Sequence, residues 1–96
     1  MIRHTVAFTL KHPPGSVEER EFLEAALALA EISTVRKFEQ LRQTSPKNKF
    51  AFGFSMEFED QAAFDVYNDH PIHQAFVRER WQGEVSTFME TDYVPL

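Results

Sequence analysis

Five large apolar side chains at alternate positions, Phe50, Phe52, Phe54, Met56 and Phe58, constrain this chain more than any other feature. The residues between them, Ala51, Gly53, Ser55 and Glu57, are small or charged, so Lys49 to Glu59 reads as a strand with one heavily apolar face. Such a face must be covered, and the cover has to come from helices elsewhere in the chain. The 96 residues suffice for one hydrophobic core and are read as a single domain over 1–96.

The remaining elements follow from local signals. Ile2, His4, Val6, Phe8 and Leu10 alternate with Arg3, Thr5, Ala7 and Thr9, giving a first strand with His4 in register with the apolar set. Pro13, Pro14 and Gly15 make a turn, and Ser16 with Glu19 three residues on has the spacing of a capping box. The helix that follows places Phe22, Leu23, Ala25, Ala26, Leu29 and Ala30 on one side. Val35 to Gln43 is read as an edge strand, its charges guarding against further pairing. Asp60 looks like the N-cap of a helix to about Asp69. Pro71 disfavours helical geometry at His70 and suits the first position of a new helix, which Gly83 is expected to end. Glu84 to Val94 reads as a last strand, with neither face assignable to the core.

The order strand, helix, strand, strand, helix pair, strand predicts an α+β, ferredoxin-like, four-stranded antiparallel sheet with helices on one face. Thr5, Ala7, Thr9, Ala51, Gly53 and Ser55 are then left on the far face. Small side chains without a cover invite close packing of a second sheet, so a homodimer through that face is expected.

Ten basic and fifteen acidic residues give a net charge of -5, which argues against nucleic acid and anionic membrane as partners. The absence of cysteine removes disulfides, thiolate nucleophiles and zinc–thiolate sites. Neither a signal-peptide pattern nor a membrane-length apolar run is present, and a soluble, cytoplasmic protein is expected.

Any chemistry is expected at the joint Tyr67-Asn68-Asp69-His70-Pro71-Ile72-His73. On the second helix of the pair, Ile72, His73, Phe76 and Val77 share an arc, so His73 faces inward with the apolar residues. Tyr67 projects from the preceding helix toward the sheet, and His4 projects from the first strand toward both. A neutral His73 would serve as base, Tyr67 as hydrogen-bond donor to a carbonyl and His4 as an accessory, a set suited to proton abstraction next to a carbonyl. A pocket for a small apolar or aromatic ligand is expected beside them, lined by Val6, Phe8, Phe22, Phe52, Phe54, Phe76, Val77 and Trp81. His70 and Pro71 are assigned to the bend itself. The spacing of His70, His73 and Asp69 matches no strong zinc pattern, so no metal is expected there. The bland alternative is that His4 and His73 are satisfied core residues of a non-enzymatic homodimer.

The Ile2-Arg3-His4-Thr5-Val6-Ala7-Phe8 opening, the Phe58-Glu59-Asp60 strand end, the Tyr67…His70-Pro71-Ile72-His73 joint with Phe76-Val77, and the terminal Asp92-Tyr93 resemble the stress-responsive dimeric α/β-barrel (Dabb) family over essentially the whole chain. The resemblance implies a ferredoxin-like subunit whose sheet closes into a barrel with that of a second copy. Within that family, a plant polyketide cyclase branch is similar at Tyr67, His73 and His4, which implies cofactor-free, aldol-type ring closure. That branch also carries a histidine in its third strand, which this chain lacks. Fold-level similarity to cofactor-independent monooxygenases offers a further alternative.

Overall fold

β1 (Ile2–Leu10) is one of two central strands in the computed structural model, which describes residues 1–96. The sheet runs β2-β3-β1-β4 with every neighbour antiparallel, β2 being Arg36–Arg42, β3 Phe52–Phe58 and β4 Val85–Tyr93. α1 (Val17–Ala26) links β1 to β2, while α2 (Gln61–Asp69) and α3 (Pro71–Phe76) lead from β3 toward β4. Each crossover skips a strand that the other half of the chain supplies, the ferredoxin-like arrangement expected above.

The alternation of β1 is fulfilled by burial: His4, Val6, Phe8 and Leu10 are buried, with half-buried or exposed residues between them. Register sets His4 opposite Met56, Val6 opposite Phe54 and Phe8 opposite Phe52, so the apolar faces of β1 and β3 form one floor under the helices. Each fully buried side chain of this size contributes about 1.5–3 kcal/mol, and Phe8, Phe22 and Phe58 are wholly enclosed.

Local chemistry explains where elements begin and end. The Ser16 hydroxyl accepts from the Glu19 amide at 3.2 Å, as a capping box requires. The Glu19 carboxylate reaches back to the Gly15 amide at 3.1 Å, one residue before the reciprocal partner of the standard box. Gly15 has φ 78°, a left-handed conformation that glycine adopts without penalty. After α1 the chain tightens into a 3-10 turn, Leu27–Glu31, burying Leu29.

β3 starts at Phe52 rather than Lys49; Ala51 still pairs through its backbone with Phe8 and Gln43, but side chains satisfy the backbone of Phe50 before it. Asn48 accepts from the Phe50 amide at 2.8 Å, and Gln43 donates to the Phe50 carbonyl at 2.8 Å, yet the Phe50 side chain is still buried. Gly83 does not end the second helical segment. α3 continues through a π-helical stretch, Val77–Trp81, and a last turn, α4 (Gln82–Glu84), that includes the glycine.

The opposite sheet face carries Thr5, Ala7 and Thr9 of β1 with Gly53 and Ser55 of β3, all half-buried. Leu41 on β2 and Met89 on β4 flank them and are exposed. Arg3 and Lys37 both pair with Glu57 on this face, and the Arg3 guanidinium holds the Glu57 carboxyl below its ordinary pKa. No helix is long and apolar enough to cross a membrane.

Candidate functional site

The joint is built by two caps. Asp60 accepts from the Ala63 amide at 2.9 Å and starts α2, which buries Phe64 and Tyr67 on its sheet side. His70 ends α2 and caps α3, taking φ -67° and ψ 136°, the extended geometry favoured before proline. Its Nδ1 accepts from the Ile72 amide at 3.1 Å, and Pro71 fills the first helical position, where no amide hydrogen is needed.

That bend turns His73 back onto Tyr67, with ring centroids 4.4 Å apart. His73 Nδ1 lies 3.1 Å from the Asn68 carbonyl oxygen. A carbonyl only accepts, so Nδ1 carries the proton and Nε2 keeps its lone pair. Burial lowers the pKa of His73, His4 lowers it further, and the Asn68 bond and Glu90 oppose the change. The imidazole is therefore neutral near pH 7 and able to accept a proton. Burial pushes the Tyr67 phenol well above its ordinary value, with the Glu90 carboxylate adding to the shift, so Tyr67 stays a donor.

His4 completes the cluster from the sheet, its ring centroid 5.9 Å from Tyr67 and 4.9 Å from Phe64. Its Nδ1 bonds Asp92 at 2.6 Å, the residue directly opposite on β4, and lies 3.7 Å from Glu90. The Asp92 bond fixes the ring and leaves Nε2 as the free nitrogen. His4, Glu90 and Asp92 each bring one ligand atom to within 4.8 Å of the others. His70, His73 and Asp69 form no such group.

Tyr67, His73 and His4 all open onto one cavity of about 460 Å³. Of the eight residues named above for a pocket, Val6, Phe54, Phe76, Val77 and Trp81 lie in its apolar wall, together with Met56 and Phe88. Phe8, Phe22 and Phe52 do not line it. Phe8 and Phe22 pack against each other and against Trp81, which lies between them and the open space, while Phe52 is buried with Arg42 over its ring. Phe8 and Phe22 belong to the core, and Phe52 lies at its edge, bordering a separate recess with Leu23, Gln40, Leu41, Arg42 and Phe54, so the expected lining loses all three.

The π-helical stretch brings Trp81 into place. Five residues of α-helix would turn Trp81 about 140° from Phe76, whereas the wider turn lets both rings meet, with centroids 6.4 Å apart. Sequence reasoning missed Glu90 and Phe88 as lining residues and Asp92 as the partner of His4. Their period-2 spacing on β4 was visible, but Met89, Thr91 and Tyr93 alternate equally well on the other face.

Comparison with known proteins adds the context of relatives. The model of the family described as Stress responsive A/B Barrel Domain matches residues 2–95. A Dabb family protein of Mesorhizobium loti with a ferredoxin-like fold is 62% identical, with TM-score 0.97, and the match covers 99% of this chain and 96% of that one. A dimeric protein of unknown function from Bacteroides fragilis shares the fold at 22% identity and TM-score 0.73, covering 96% and 93% of the two chains. The hydroxynitrile lyase of Passiflora edulis does so at 15% identity and TM-score 0.84, covering 99% and 93%. No curated protein matches the sequence.

Proposed function

The chain belongs to the stress responsive A/B barrel (Dabb) domain family, and from that membership we propose a homodimer whose subunits each hold a pocket for a small apolar or aromatic carbonyl compound and perform cofactor-free acid–base chemistry on it. The single observation that carries the proposal is the meeting of Tyr67, His73 and His4 in one cavity with an aromatic wall. The volume, about 460 Å³, suits a compound of a few rings or fewer.

The residues divide the work as follows. The carbonyl oxygen accepts from the Tyr67 hydroxyl, and His73 Nε2 removes a proton from the neighbouring carbon. Electrons from the broken C–H bond move into the enolate, whose oxygen Tyr67 stabilises. The enolate then takes an electrophile or recovers the proton from the His73 imidazolium. His4, oriented by Asp92, holds the substrate oxygen or a water on the sheet side. Pairing through the far sheet face is supported by the small residues and exposed Leu41 and Met89 there, and dimer formation as such by the dimeric Bacteroides fragilis neighbour.

Deuterium exchange tests this directly. Acetophenone incubated with the protein in D₂O should lose its methyl proton signal faster than in buffer alone. His73→Ala should abolish the excess rate. A wild-type rate equal to that of buffer would defeat the catalytic reading and leave a non-enzymatic homodimer.

A further inference from the structure

We propose that the cavity selects its ligand by charge, taking an aromatic carbonyl compound that also carries a protonated amine and rejecting carboxylates. This deepens the pocket reading above and rests on it.

The lining includes Glu90 but neither lysine nor arginine. The nearby cations are spoken for: Arg3 pairs with Glu57 on the other face of the sheet, Arg80 with Glu84 and Arg78 with Glu79. That leaves the two pocket histidines to balance Glu90 and Asp92. His4 bonds Asp92 at 2.6 Å and lies 3.7 Å from Glu90, so even a protonated His4 offers one positive charge against the two carboxylates. His73 is committed through Nδ1 to the Asn68 carbonyl, and its burial disfavours a second proton. The polar end of the cavity therefore keeps at least one uncompensated negative charge in either protonation state of His4.

The aromatic wall lies beside that charge. Phe88 and Glu90 are two residues apart on β4, opposite Phe8 and Val6 of the core-facing floor, and both line the cavity. Phe88 meets Trp81 edge to face at 5.5 Å. A cation held by Glu90 thus has ring faces within reach, while the carbonyl of the same molecule can extend toward Tyr67. A carboxylate in that place would meet Glu90 with no cation to offset it. The Glu90 side chain is 52% exposed, so solvent limits the preference to about tenfold.

Three acetophenones that differ only at the para position test the proposal by calorimetric titration of the full chain at pH 7 and low salt. The para-aminomethyl compound should bind about tenfold tighter than the para-methyl compound, and the para-carboxy compound should bind weakest. Glu90→Gln should bring all three within about threefold, and added salt should weaken only the aminomethyl compound. Equal affinities in the wild type would overturn the charge selection while leaving the pocket reading intact. Failure of all three to bind would defeat the pocket reading itself. A melting shift from Mn²⁺ alone, lost in Glu90→Gln, would give the carboxylate to a cation held with His4 and Asp92 and overturn the amine.

Discussion

Phe8 and His4 lie on the same face of β1, one turn of alternation apart from Val6, yet they serve opposite ends of the interlayer space. Phe8 is enclosed by Phe22, Phe52, Phe54 and Trp81. His4 touches Phe58, Phe64 and Tyr67 but also borders an open cavity. The difference comes from the neighbouring strand and from the cover: β4 sets Phe88 opposite Phe8 and Asp92 opposite His4, while Trp81 closes the first end and the Tyr67–His73 pair leaves the second open. One strand thus supplies both the part that holds the fold and the part available for chemistry.

If the two ends differ in this way, their substitutions should separate stability from activity. Phe8→Ala opens a void among aromatic rings and should cost about 3–5 kcal/mol in urea unfolding. His4→Ala frees Asp92 to water and should cost only about 1 kcal/mol. Equal losses would erase the distinction. Tyr67→Phe removes only a hydroxyl facing the cavity, so stability should change by less than about 1 kcal/mol. The exchange rate should nevertheless fall about 100-fold or more, as for loss of a donor to a developing oxyanion. A Tyr67→Phe protein that exchanges normally would place the donor elsewhere.

The pH dependence sharpens the open end further. The pKa of His73 is lowered from 6.5 in the fold, so an unfolded chain binds this proton more readily than the native one. The stability it contributes is complete above pH 6.5 and is lost as pH falls through the lowered native value. Wild type should therefore lose more stability than His73→Gln on acidification, and the acid limb of the exchange rate should lie below pH 6.5. An acid limb above 6.5 would mean a charged His73 in the fold. The smallest effect concerns the bend alone: His70→Ala removes the α3 cap and should cost about 1 kcal/mol, with ligand affinity unchanged in calorimetry.

Much of the fold was legible in the sequence because its signals are local. The Phe50–Phe58 alternation, the Ser16–Glu19 cap and the His70-Pro71 bend each follow from neighbours within a few residues. Tyr67, His73 and His4 were also readable as inward-facing groups, and the structure brings them around one cavity. What could not be read depends on pairing over long range. β4 alternates polar and apolar residues on both faces, so only its register with β1, shifted by an irregularity at Thr9/Leu10, decides that Phe88, Glu90 and Asp92 turn inward. The π-helical stretch is of the same kind. Nothing in Val77-Arg78-Glu79-Arg80-Trp81 demands it, whereas the contacts of Trp81 with Phe8, Phe22, Phe54 and Phe88 favour it. That one shift moves Trp81 between the core and the cavity, which is why Phe8 and Phe22 lie behind it and not in the lining.

The most direct test of the open end is an NMR titration of the protein with acetophenone, following the imidazole, indole and backbone signals together. Saturable shifts at His73, His4 and the Trp81 indole, with Phe22 and the far sheet face around Thr5 and Ser55 unmoved, are the predicted result. Saturable shifts confined to the far face, or none at all, would contradict a binding cavity between Tyr67, His73 and His4.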